Sequence, residues 1–145
     1  MRTALATLVF ATSHATPLPT YGQEQHSEVI TVGNDKFLRW FGHADRTYFV
    51  QISDPGDPLH TWIWAPVIEP GDGVNISYEV DGTANSGFFR LWYSDQPTND
   101  PDGDDFDGDG LSNWDEIALH QTNPLKWDND GDGLNDYDEL YIHGT

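Results

Sequence analysis

The chain has 145 residues, no cysteine, six Lys and Arg against 25 Asp and Glu, and a formal net charge of −19 at neutral pH. Such a surface repels nucleic acid and anionic membranes and attracts cations, and the absence of cysteine excludes disulfides, thiolate catalysis and cysteine-ligated zinc. The length accommodates one ordinary domain plus an appendage.

At the N-terminus, Arg2 precedes an apolar run, ALATLVFA (4–11), and then SHA (13–15), with small residues where a signal peptidase reads. This is the outline of a short secretory signal cleaved after Ala15, and residues 16–27 read as a disordered linker behind it. No other apolar run approaches the ~20 residues that a membrane span needs. The expectation is a soluble exported protein, secreted or held at the cell surface.

From 28 to 94 the pattern changes to short segments rich in β-branched and aromatic residues. Strands are expected at EVITV (28–32), KFLRWF (36–41), TYFVQIS (47–53), TWIWAPVI (61–68), VNISYEV (74–80) and GFFRLWY (87–93). The breaks GND, GHAD, SDPGDP, EPGDG and DGTANSG are turn chemistry, since Gly and Asn tolerate positive φ and Asp accepts from local amides. Regular short strands with such turns predict a small β-sandwich-like domain, with Trp40, Tyr48, Trp62, Trp64, Phe89 and Trp92 as candidate core. Trp62 and Trp64 stand two apart, so on one strand they share a face. That face is either the buried side of a sheet or a stacking platform for a sugar. The segments TYFVQIS, TWIWAPVIE and GFFRLWYSD resemble a β module of large exported proteins of environmental bacteria, and the resemblance implies a fibronectin-like or immunoglobulin-like fold without implying any chemistry.

DQPTNDPDGD (95–104) has no apolar periodicity and reads as a linker. Beyond it the charge is concentrated: residues 95–145 carry fifteen Asp and Glu and one base, Lys126, and so hold −14 of the total charge. DFDGDGLSNWDE (105–116) and DNDGDGLNDYDE (128–139) repeat the same pattern of acidic residues, glycines and leucine at an offset of 23. The match continues through IALHQT and LYIHGT, and the second copy stops before the Asn-Pro that follows the first, as a truncated repeat does.

The spacing has a physical reason. A twelve-residue loop can wrap a calcium ion with side chains from positions 1, 3 and 5, a backbone carbonyl from 7, a water held by 9 and a bidentate Glu at 12, with glycine at 6 for the sharp turn. The candidate ligands are therefore Asp105, Asp107, Asp109, Leu111 (carbonyl) and Glu116 in the first loop, and Asp128, Asp130, Asp132, Leu134 (carbonyl) and Glu139 in the second. Asn113 and Asp136 stand at position 9. Oxygen-only ligands in a large flexible cage favour calcium over magnesium, and about two ions are expected. Asp115 and Asp138 begin short helices, where negative charge is favourable, and are left out of the ligand set. Without calcium, this region is expected to be largely disordered.

The entering helix of an EF-hand is missing, and loop followed by short helix is the better description. Residues 105–145 resemble bacterial thrombospondin type 3 repeats, whose pattern is D-x-D-x-D-G-L-S-D-x-x-E, a short helix and T-N-P. The resemblance implies calcium loops at the positions named and an extracellular or cell-surface location, and it departs at Asn113, where Asp is commoner and where the first site is expected to be weakened. A dockerin, which uses calcium loop–helix repeats to dock onto a scaffold protein, is the alternative; the 23-residue period and Asn-Pro punctuation favour the thrombospondin-like reading.

No Ser-His-Asp signature, H-E-x-x-H or phosphate loop is present. The sequence thus predicts a mostly β, non-enzymatic, calcium-binding module of structural or adhesion type. Its candidate partners are calcium ions and an extracellular protein or glycan, and a carbohydrate-binding role through Trp62 and Trp64 is the alternative for the β unit.

Overall fold

The computed structural model describes residues 27–144 except 34, 55, 60 and 81–86. The expected signal at 1–15 and all but the last residue of the 16–27 segment lie outside the described residues, as does the chain's final residue.

Alternation of apolar and polar residues produces six antiparallel strands: β1 Ser27–Val32, β2 Asp35–Phe41, β3 Thr47–Ser53, β4 Ile63–Pro70, β5 Asn75–Val80 and β6 Phe88–Ser94. They form two three-stranded sheets, ordered β1-β2-β5 and β4-β3-β6. Leu38 lies opposite Val29 on one side and Tyr78 on the other, while Val50 lies opposite Leu91. Leu38, Trp40 and Val80 of the first sheet meet Tyr48, Val50 and Ala65 of the second in one buried cluster, with Phe89 and Leu91 packed against it. The chain is therefore a β-sandwich-like unit followed by a short helical region, as the strand pattern predicts.

Strand β4 begins two residues later than the sequence suggests and runs to Pro70. It is an edge strand, where a proline lacking an N–H is tolerated. Trp62 consequently precedes the strand, half-buried, with the Arg90 guanidinium carbon 3.8 Å above its ring. Trp64 is buried against Phe49 and Trp92. The two tryptophans do not form an exposed pair.

Strand β3 is buried on both faces: Thr47, Tyr48, Phe49 and Val50 are all inaccessible. One face belongs to the sandwich core. The other, with Phe49, Trp64 and Ile68, is covered by Ile117 from the acidic half of the chain, with Trp92, Phe106, Ala118 and Leu125 packed around it. Gln121 fixes the join. Its Oε1 accepts from the Trp64 N–H at 2.7 Å, and its Nε2 donates to the Trp64 carbonyl at 3.3 Å. Gln121 holds a left-handed backbone, φ 61°, a conformation that costs a non-glycine residue free energy and persists when its surroundings fix it. Residues 95–104 bridge the layers: Asp95 pairs with Arg46 at 3.2 Å, and the Gln96 carbonyl accepts from Thr47 Oγ1 at 2.8 Å.

Candidate metal centre

Each acidic loop is built by its own carboxylates. Asp105 accepts from the N–H groups of Gly108 and Gly110 at 2.6 and 3.0 Å, Asp107 from Asp109 at 3.2 Å, and Asp109 from Leu111 at 2.7 Å. The second loop repeats the set: Asp128 accepts from Gly131 and Gly133 at 2.5 and 2.8 Å, Asp130 from Asp132 at 3.1 Å, and Asp132 from Leu134 at 2.9 Å. Such side-chain-to-backbone bonds curl the chain so that alternate carboxylates converge. At loop position 6, Gly110 and Gly133 take φ of 105° and 101°, which an L side chain rarely adopts.

Each loop runs directly into a short helix. The first is Asp115–His120, wound as a π-type helix and closed by Gln121. The second is an α-turn, Asp136–Asp138, continued by π-type turns at Glu139–His143 and closed by a bond from the Gly144 N–H to the Glu139 carbonyl at 2.7 Å. The backbone N–H groups of Asp115 and Asp138 donate to Ser112 Oγ at 3.1 Å and Asn135 Oδ1 at 2.6 Å.

Three carboxylate groups have ligand atoms within 4.8 Å of one another: Asp105 with Asp107 and Asp109; Asp128 with Asp130 and Asp132; and Asp109 with Glu116 and Asp136. The first two are the loop positions 1, 3 and 5 expected from sequence. The third joins Asp109 to Glu116 as expected and adds Asp136, which the sequence placed only as a water holder in its own loop. Glu139, the position-12 residue of the second loop, falls in none of these groups. Leu111 is buried and Leu134 is 36% exposed, so the first loop is closed over and the second open.

The first loop is electrostatically frustrated on its own. Glu116 is fully buried and its carboxyl is pushed up to about 9, by burial first and then by the charges of Asp107 and Asp109. Asp107 is pushed up to about 6 by burial and by Asp109. Asp109 and Asp136 are raised as well, burial again leading. Asp107 Oδ2, Asp109 Oδ2, Glu116 Oε2 and Asp136 Oδ2 are buried with no hydrogen-bond partner. Buried carboxylate oxygens need a donor or a cation. Unpartnered acceptors in two carboxylate groups that share Asp109 fit a hard divalent cation, and oxygen ligands at this density suit calcium.

Asn113 does not face this cluster. Its Oδ1 accepts from the Phe106 N–H at 3.1 Å and its Nδ2 donates to the Pro101 carbonyl at 3.0 Å. Both ends of the side chain are engaged in holding the loop to the preceding turn. The expectation that asparagine here weakens the first site has no contact to support it.

Residues 105–126 and 128–145 match the family model for the bacterial TSP3 repeat. The acidic segment therefore carries two bacterial TSP3 repeats, a type of calcium-binding structural module. No curated protein and no solved structure matches the chain. No helix among the described residues is long and apolar enough to cross a membrane.

Proposed function

We propose that this protein is an exported, non-enzymatic calcium-binding module of structural or adhesion type, in which calcium orders two acidic repeats against a β-sandwich-like unit. The single observation that carries the reading is the set of buried, partnerless carboxylate oxygens in the repeat loops. The ligands are Asp105, Asp107, Asp109, Glu116 and the Leu111 carbonyl in the first loop, and Asp128, Asp130, Asp132, Glu139 and the Leu134 carbonyl in the second, for about two ions. Bound calcium supplies positive charge that allows these carboxylates to stay ionised without water. The proposed boundaries are a signal at 1–15, a linker at 16–27, the β unit at 28–94, a linker at 95–104 and the repeats at 105–145.

Calcium acts here as a structural component rather than a signal, because a ligand that binds only the folded form shifts folding toward it. Affinity of roughly 0.1–1 mM, the range of extracellular modules, matches a compartment where calcium is abundant. This supports secretion or cell-surface display, with an extracellular protein or glycan as partner. The Arg90 guanidinium stacked on Trp62 and the burial of Trp64 leave the sugar-platform alternative without a specific observation in its favour.

The test is thermal unfolding of the full chain with and without calcium. At 10 mM calcium, about ten to a hundred times the proposed dissociation constant, the linkage relation gives roughly 1.4–2.7 kcal/mol per site, and the melting temperature should rise by several degrees. A melting temperature unchanged by calcium would remove the basis of the reading.

A further inference from the structure

The two loops share their acidic positions 1, 3, 5, 11 and 12 and their glycines, so the replacement of Asn113 by Asp136 at position 9 is informative. Asn113 and Asp136 occupy equivalent places, and each Oδ1 accepts from the equivalent backbone N–H, Phe106 at 3.1 Å and Asn129 at 2.8 Å. The second side-chain atoms part company. Asn113 Nδ2 donates to the Pro101 carbonyl at 3.0 Å, in the turn that precedes the first loop. Asp136 Oδ2 has no hydrogen-bond partner although the residue is 2% exposed. What precedes the second loop is the first repeat, and there the Asp136 carboxylate comes together with those of Asp109, 5% exposed, and Glu116, fully buried.

Three buried carboxylates from two repeats therefore meet with one unpartnered oxygen on each. The one Lys or Arg between 95 and 145, Lys126, offsets only Asp136 and only in part, its ammonium donating to the Asn129 carbonyl at 2.6 Å. Other contacts tie the repeats at the same place. The Tyr137 ring lies beside Gly110, where an added Cβ would stand 3.4 Å from it, and Tyr141 packs edge-on against His120 with ring centroids 6.0 Å apart.

We propose that the divalent cation of the first loop is seated across the repeat boundary, with Asp136 of the second repeat as a ligand beside Asp109 and Glu116. This rests on the calcium-binding reading of the loops and goes beyond it, because the site becomes a property of the pair of repeats. Position 9 is then an inter-repeat residue. An Asp there reaches back to a preceding cation loop, and an Asn there marks a repeat preceded by something else. The cation locks neighbouring repeats in register, and the second repeat is required for the first to bind.

The experiment is calorimetric calcium titration of the full-length chain carrying Asp128→Asn, which disables the second loop's own cluster, with and without Asp136→Asn. The amide is isosteric and keeps the acceptor for the Asn129 N–H, and far-UV dichroism of both chains checks that the fold is retained. The expected result is a retained calcium site in the Asp128→Asn chain that weakens at least tenfold when Asp136→Asn is added. Glu116→Gln in the same background should give a comparable loss, with little further loss when combined with Asp136→Asn, since residues sharing one site are not additive. Equal affinity in the two chains would overturn the inference while leaving calcium binding intact; loss of all binding on Asp128→Asn alone, with the far-UV dichroism unchanged, would also overturn it. A wild-type chain that binds no calcium would overturn the underlying reading and this inference with it.

Discussion

Ile117→Ala will destabilise the chain by about 2–5 kcal/mol, the range for truncating a fully enclosed aliphatic residue. Ile117 has no exposed surface and fills the space between the first repeat helix and the outer face of the β4-β3-β6 sheet, against Phe49, Trp64 and Ile68. The site has little room to relax, because the backbone beyond it is held by the Gln121 bonds to Trp64. The cavity also loosens Glu116, the adjacent residue, so calcium affinity should fall although no ligand has been changed. Urea denaturation followed by tryptophan emission measures the loss, Trp64 and Trp92 being in the affected cluster. A change below about 1 kcal/mol would mean that the repeat does not share a core with the sheet.

The second large effect is a release of protons on calcium binding. Glu116 has a usual value of 4.5 and is pushed up to about 9; Asp107 has a usual value of 3.8 and is pushed up to about 6. An acid raised in the folded state holds its proton over the interval between the two values, where the unfolded chain has already lost it. These two groups therefore favour the metal-free fold most below about pH 4, and their contribution is lost as pH rises through about 6 and on toward about 9. Calcium requires the ionised form, so its affinity runs the other way, rising with pH across the same interval. At pH 7 binding should release about one proton, chiefly from Glu116. Calorimetry in two buffers of different ionisation enthalpy reads this number directly. Glu116→Gln should abolish the release; a release that survives the substitution would place the proton elsewhere.

The sequence exposed different features to different degrees, for physical reasons that can be assigned residue by residue. The six strands are local patterns: β3 begins and ends where TYFVQIS does, because alternation and flanking turns are encoded within a few residues. The end of β4 was obscured by Pro70, which argues against a strand except at an edge, and edge position is set by pairing rather than by the segment itself. The loop pattern was legible because positions 1, 3, 5 and 12 lie within twelve residues and the glycine that turns the loop lies among them. What escaped was non-local. Nothing near Ile117 indicates that its partners are Phe49 and Trp64, over fifty residues earlier, and an amphipathic stretch of six residues is too short to announce a buried face. Asp136 escaped because the reading treated each loop as a closed cage. The signal was present in the sequence, as Asn113 against Asp136 among the acidic positions of the repeats, but only the neighbouring loop gives that difference a meaning.

The central claim is that calcium builds the acidic half of the molecule onto the β unit, and the most direct test is to strip the full chain with chelator and titrate calcium while following far-UV dichroism and tryptophan emission. Trp114 lies within the first loop and Trp127 immediately before the second, so both report from the repeats, while Trp64 and Trp92 report from the sheet face they cover. A saturable gain of ordered structure with a shift in emission is expected, at about two ions per chain and not reproduced by magnesium at the same concentration. A flat response, or an equal response to magnesium, would contradict it.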